Sequence, residues 1–113
     1  MGASFESIER SLHFINKQAE EFARAKSQRV YLEEFRKSKK AILMRQAETE
    51  GCKTGQERES YAYSHEDYIA LLDGIKAAVE VEEGLKWKLF AARESIDYQK
   101  QRNMFAMAEM KMR

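Results

Sequence analysis

The chain of 113 residues contains no proline, five glycines and one cysteine. Without proline the strongest helix breaker is missing, so long uninterrupted helices are permitted. A single thiol excludes an intrachain disulfide framework and any zinc site built from several cysteines. Long apolar runs are missing too. The longest stretches span five residues, such as Met104-Phe105-Ala106-Met107-Ala108, others such as Ala41-Ile42-Leu43-Met44 four, and nothing of that length spans a membrane. The first residues, Met1-Gly2-Ala3-Ser4-Phe5-Glu6, lack the basic start and apolar core of a signal peptide, so a cytoplasmic protein is expected. Charge of one sign does not dominate either, because 20 Lys and Arg against 19 Asp and Glu leave a net charge of +1. That balance argues against a strongly basic nucleic-acid tail and against an acidic solvating chain.

What is present is helix-forming. Ala, Glu, Lys, Arg, Gln, Leu and Met dominate, and 11% of the residues are aromatic, enough to support a packed core. Ser4 is a candidate N-cap with Glu6 behind it, and the helical pattern then runs to about residue 50. Gly51-Cys52-Lys53-Thr54-Gly55 is the clearest stop. Two capping boxes follow, Thr54 with Glu57 and Ser64 with Asp67. The expected organisation is a single domain over residues 1–113. It comprises a helix over about 4–50, a turn with a short helix over 51–64, and a helix over about 65–111. Two long helices of matched length joined by one short connection predict an all-α fold, a long antiparallel helical hairpin. Sustained period-two alternation is missing, and the only β-rich patch, Tyr61-Ala62-Tyr63, is too short for a sheet.

The last helix carries a coiled-coil heptad. Tyr68, Ile75, Glu82, Leu89, Ile96, Asn103 and Met110 occupy a; Leu71, Ala78, Leu85, Ala92, Gln99 and Ala106 occupy d. All but Glu82, Gln99 and Asn103 are apolar or small, and the polar three are candidates for fixing the register. The first helix opens with Phe5, Ile8, Leu12, Ile15, Ala19 and Phe22. The same register then meets Lys26, Arg29, Glu33 and Arg36, and the apolar stripe resumes at Leu32, Phe35 and Ile42. A register skip between Ala23 and Val30 is the expectation. Gly74 and Gly84 lie inside the second long helix, where they mark a kink, a close approach or simple tolerance.

Neutrality hides charge blocks of −2 over residues 1–23, +6 over 24–45, −7 over 46–83 and +4 over 84–113. Folded as a hairpin, each block meets one of opposite sign, although each exposed pair contributes under about 1 kcal/mol. The basic block holds Arg36, Lys37, Lys39, Lys40 and Arg45, which form either a solvated face with intramolecular partners or a stripe for nucleic-acid phosphates.

Aromatic residues also fall outside the heptad seam. Trp87, Phe90, Tyr98 and Phe105 point away from it, and Phe14 on the first helix lies off it as well. Two helices cannot cover both faces, so association of hairpins into a four-helix bundle, as a dimer or tetramer, is expected. The run Met104 to Met112 holds four of the six methionines, which suit either gap filling or an adaptable docking surface.

Reactive constellations are poor. His13 and His65 have no Cys or His at metal-ligand spacing, and Cys52 has no base placed beside it. Glu80, Glu82 and Glu83 face a basic block rather than other carboxylates. The reading is a non-enzyme with no catalytic, cofactor or metal residues.

The segments Ala41–Glu48, Glu57–Ala62, His65–Tyr68, Leu71–Gly74 and Glu82–Trp87 resemble small helical proteins of tailed bacteriophages and prophages. The resemblance spans roughly residues 30–100 and carries no catalytic pattern. It implies an early-region accessory protein acting in the bacterial host cytoplasm. The resulting expectation is an oligomeric coiled-coil adaptor that binds phage or host proteins and no membrane. The alternative is a DNA-binding accessory in recombination or replication that uses the basic stripe.

Overall fold

The computed structural model describes the backbone of residues 2–112 and the side chains of residues 5–112. It is an all-α helical hairpin of three helices, with no strand among the described residues: α1 (Gly2–Thr49), α2 (Gly55–Ser64) and α3 (Glu66–Met112). α1 already begins at Gly2, so Ser4 lies inside its first turn rather than at its cap, and the Ser4 side chain is outside the described residues. The chain forms two compact units, Met1–Ala23 with Glu83–Arg113, and Arg24–Glu82.

Within the unit Arg24–Glu82, α1 ends where Gly51 takes a φ of 99°, the left-handed region that a side chain resists. Two bonds close the end: the Cys52 N–H donates to the Ala47 carbonyl at 3.0 Å, and the Gly51 N–H to the Glu48 carbonyl at 3.2 Å. α2 starts at Thr54, whose hydroxyl accepts from the Glu57 N–H at 3.1 Å. The Glu57 carboxylate reaches back to the Lys53 N–H at 3.0 Å, one residue earlier than a capping box places it. The second expected box does not form. Ser64 turns its hydroxyl back to the Ser60 carbonyl at 2.7 Å, and His65 caps α3 instead, with Nδ1 accepting from the Asp67 N–H at 3.0 Å.

The three helices meet at a small core. Leu43 from α1, only 1% exposed, packs with Ala62 of α2 and Tyr68 of α3, with Met44 against them. Ion pairs run along the two long helices in opposite directions, Arg29 to Glu82 and Lys39 Nζ to Asp67 Oδ2 at 3.4 Å. Rising numbers on α1 thus meet falling numbers on α3, the antiparallel order. Lys40 pairs with Glu59 on α2 at 3.4 Å, so the expected match of the basic block with the acidic one holds in this unit.

On α3 every a and d position from Tyr68 to Ala106 is buried or half-buried, and only Met110 at the end is exposed. On α1 the seam differs from the expected one. In the unit formed by the two chain ends, Ile8, Ser11, Ile15, Gln18 and Phe22 turn inward, whereas Phe5, Leu12 and Ala19 are exposed. In the other unit the inward positions are Ala25, Arg29 and Leu32, then Lys39, Lys40, Leu43, Met44 and Ala47, while Phe35 and Ile42 are exposed. Spacing of three and four passes from Phe22 through Ala25 and Arg29 to Leu32, so no register skip occurs there. Arg29 holds its seam position because its partner across the seam is a carboxylate. Glu82, 9% exposed, accepts from Arg29 Nε and from Nη2 at 3.2 Å, and Nη1 donates to Glu33 at 3.0 Å.

Gly74 and Gly84 make no close approach, since a Cβ at either would meet nothing within 4 Å. Gly74→Ala and Gly84→Ala should therefore each stabilise the protein by roughly 0.5–1 kcal/mol. Gly51→Ala should destabilise it by roughly 1–2 kcal/mol through left-handed strain. Urea unfolding of the three variants reads both signs. For the polar layer, Glu82→Leu alone should lower the unfolding midpoint, because the half-buried Arg29 loses two of its three hydrogen bonds and keeps only Glu33. Adding Arg29→Leu should restore the midpoint or raise it. Losses that simply add would show that the two residues are not coupled.

Candidate functional site

Two surfaces hold the side chains with functional potential, one in each unit. In the unit formed by residues 1–23 and 83–113, α3 turns large apolar groups outward. Trp87 is 59% exposed and Phe105 72%, with Phe90 and Tyr98 also more than half exposed. These positions follow from the heptad: once the a and d residues face α1, positions b, c and f must face away. Trp87 and Phe90 lie three residues apart and pack edge to face, with centroids 5.6 Å apart and planes at 79°. Phe22, Leu89 and Arg93 join them around a groove of about 360 Å³. Further along, Gln101, Met104, Phe105 and Ala108 line a second apolar groove of about 490 Å³. Arg102 lies over the Tyr98 ring, 6.0 Å from its centroid.

Phe14 is half-buried and so is not one of the exposed rings. In its place the structure leaves Phe5 and Leu12 open on α1, residues that the spacing had assigned to the seam. Met104, Met107, Met110 and Met112 are all exposed, so none of them fills a gap within the chain.

In the unit Arg24–Glu82, the five cations of the basic stripe do not act alike. Lys39 is tied to Asp67 of α3, and Arg45 stands exposed away from the others. Arg36, Lys37 and Lys40 line one groove of about 350 Å³ together with Tyr63 and Tyr68. They occupy positions i, i+1 and i+4 of α1, so Arg36 and Lys40 share a face and Lys37 flanks it. Tyr63 reaches the groove from α2 and Tyr68 from α3. Their rings meet edge to face with centroids 5.3 Å apart.

Lys40 Nζ lies 4.9 Å from the centre of the Tyr63 ring. Its ammonium is held above the ordinary lysine range, first by the Tyr63 side chain and then by Glu59. Lys37 pairs with Glu34 one turn back at 3.4 Å, both side chains mostly exposed, whereas Arg36 engages no acid among the described residues. The groove therefore keeps net positive charge beside two phenol rings. Nothing in the sequence near the basic run marks those rings. Tyr63 and Tyr68 lie over twenty residues further on, and only the turn brings them back.

The remaining candidates for chemistry are placed as follows. Glu82 is committed to Arg29, while Glu80 and Glu83 are exposed. Cys52 is half-buried beside the start of α2, where its carbonyl accepts from Arg58 Nε at 3.1 Å. His65 serves as the cap of α3, and His13 lies exposed among Glu6, Glu9 and Arg10. Among the described residues no group of three or more His, Cys, Asp or Glu is placed to hold a metal ion. No helix among them is long and apolar enough to cross a membrane.

Comparison with known proteins returns no family model, no curated protein and no solved structure that matches this chain.

Proposed function

We propose that the protein is an oligomeric coiled-coil adaptor that acts through helical faces rather than through a reactive centre. The observation that carries this reading is the exposed aromatic row Trp87, Phe90, Tyr98 and Phe105 on α3. Side chains of this kind bury about 150–250 Å² each, so four of them at more than half exposure leave roughly 400 Å² of apolar surface to water. At about 25 cal/mol per Å² that is a gross gain of about 10 kcal/mol per copy on burial. Two copies gain twice that, against an association cost on the order of 4–15 kcal/mol, which favours pairing. The simplest cover is a second hairpin, giving a four-helix bundle of two copies or more. Phe5 and Leu12 extend the apolar surface on α1, and the exposed methionines supply an adaptable margin for a phage or host protein. On this reading the setting is the bacterial cytoplasm of an infected cell.

A second reading, a DNA-binding accessory protein, draws support from the groove in which Arg36, Lys37 and Lys40 keep net positive charge. It is the weaker of the two, because Lys39 already pairs with Asp67 and Lys40 with Glu59.

Trp87 is the single tryptophan and reports on its own burial. Its emission should shift to the blue as protein concentration rises, in step with the mass given by light scattering. Trp87→Ser with Phe90→Ser should leave the helical circular dichroism intact and reduce the mass to that of one chain. An unchanged oligomer in this variant would rule out this interface, and a wild-type monomer at every concentration would rule out self-association.

A further inference from the structure

We infer that the groove between Arg36, Lys37, Lys40, Tyr63 and Tyr68 binds single-stranded nucleic acid, with a base stacked on Tyr63 and the adjoining phosphates on the cations. This deepens the second reading above and rests on it. The argument begins with what the fold leaves available. Of the five cations in the stripe, Lys39 is held by an acid on α3 and Arg45 lies outside the groove. Lys40 is paired with Glu59 as Lys39 is with Asp67, which leaves Arg36 and Lys37 for phosphates, too few for a stripe that tracks a duplex along six to ten of them. The missing affinity must come from another interaction, and the groove supplies it. Tyr63 is 46% exposed, its ring steadied by the edge-to-face contact with Tyr68 and by Lys40.

A ring held in this way is a stacking platform. Base stacking on an aromatic side chain is worth about tenfold or more in affinity and accepts any base. A duplex keeps its bases inside the stack and cannot offer one to Tyr63, whereas a single strand can. The volume of about 350 Å³ suits one nucleotide rather than a helix. Arg36 engages no acid among the described residues, and the Lys37 pair is exposed and easily exchanged for a phosphate.

The test is fluorescence anisotropy of the full chain with a labelled oligothymidylate of about 12 nucleotides and, separately, with a duplex of the same length, across a salt series. The single strand should bind more tightly than the duplex. Its log K should fall against log salt with a slope of about −1.4, as expected for two phosphates at about 0.7 each. Arg36→Gln with Lys37→Gln should weaken binding and flatten the slope towards zero. Tyr63→Leu should weaken binding by about tenfold or more while leaving the slope unchanged, and Tyr63→Phe, which keeps the ring, should bind as the parent does. Circular dichroism of each variant separates loss of binding from loss of fold.

Equal affinity of Tyr63→Leu and the parent would overturn the stacking proposal. So would a preference for duplex that depends on Arg36 and Lys37 but not on Tyr63, although the second reading would then stand. Failure to bind either probe at low salt would overturn both.

Discussion

The register of the hairpin depends on one polar layer. Glu82 is almost fully buried on α3, and a carboxylate in that position is expensive unless charge and hydrogen bonds meet it. Arg29 meets it with two donors of one guanidinium, a fork whose geometry a lysine could not reproduce. Glu33, one turn along α1, takes the third donor and so fixes the rotamer of Arg29. Sliding α1 by one seam position would set Ala25 or Leu32 against Glu82, leaving the charge unanswered. Sliding it by a whole heptad would bring Arg36 there and keep a cation in place. It would also pull Leu43 away from Ala62 and Tyr68, the small core that the turn locks in position. The ion pair and the core each exclude the slips that the other tolerates. Such a pair need not add stability relative to apolar residues of the same size; what it supplies is a single register.

The same layer explains which parts of the architecture could be read from sequence. On α3 the heptad was legible in full, because all but Glu82, Gln99 and Asn103 of its a and d residues are apolar or small. α1 was not legible in the same way. Its seam carries Ser11, Gln18, Arg29 and Lys39, each of which looks like a surface residue when the facing helix is unknown. Meanwhile Phe5, Leu12 and Ala19 repeat every seven residues one step off the seam and imitate it. Apolar periodicity finds an apolar face, and α1 has two. Only the partner helix decides which of them is inside: the apparent skip after Phe22 arose because the inward positions there are Ala25 and Arg29, while Phe35 and Ile42 belong to the outer face.

Local signals fared according to how local they were. The stop at Gly51 and the cap at Thr54 depend on the backbone of a few residues, and both could be read directly. The choice between Ser64 and His65 depends on whether a hydroxyl bonds back to its own helix, and two adjacent capping side chains leave that open. The cations of the basic stripe were equally plain in the sequence. Their division was not, because Asp67, Glu59 and Tyr63 approach them only after the chain reverses at the turn. Long-range placement is the missing quantity in each case.

The distribution of side-chain size bears on why association is the favoured reading. About half of the inward positions are small or polar, among them Ala25, Ala47, Ala78, Ala92, Ala106, Ser11, Gln18, Gln99 and Asn103. Small residues let the two helices approach closely, but they remove little apolar area from water. On α3 the rings of Trp87, Phe90, Tyr98 and Phe105 are on the outside, and only Tyr68 is inside. A chain optimised as a monomer would place these groups in the reverse order, with rings inside and alanines out. A hairpin that keeps these rings on its outer face leaves a large apolar area in water, and this is the area that the proposed partner would cover. On the proposed reading folding and assembly are then linked, and the stability of the hairpin rises with the concentration of the chain that covers it.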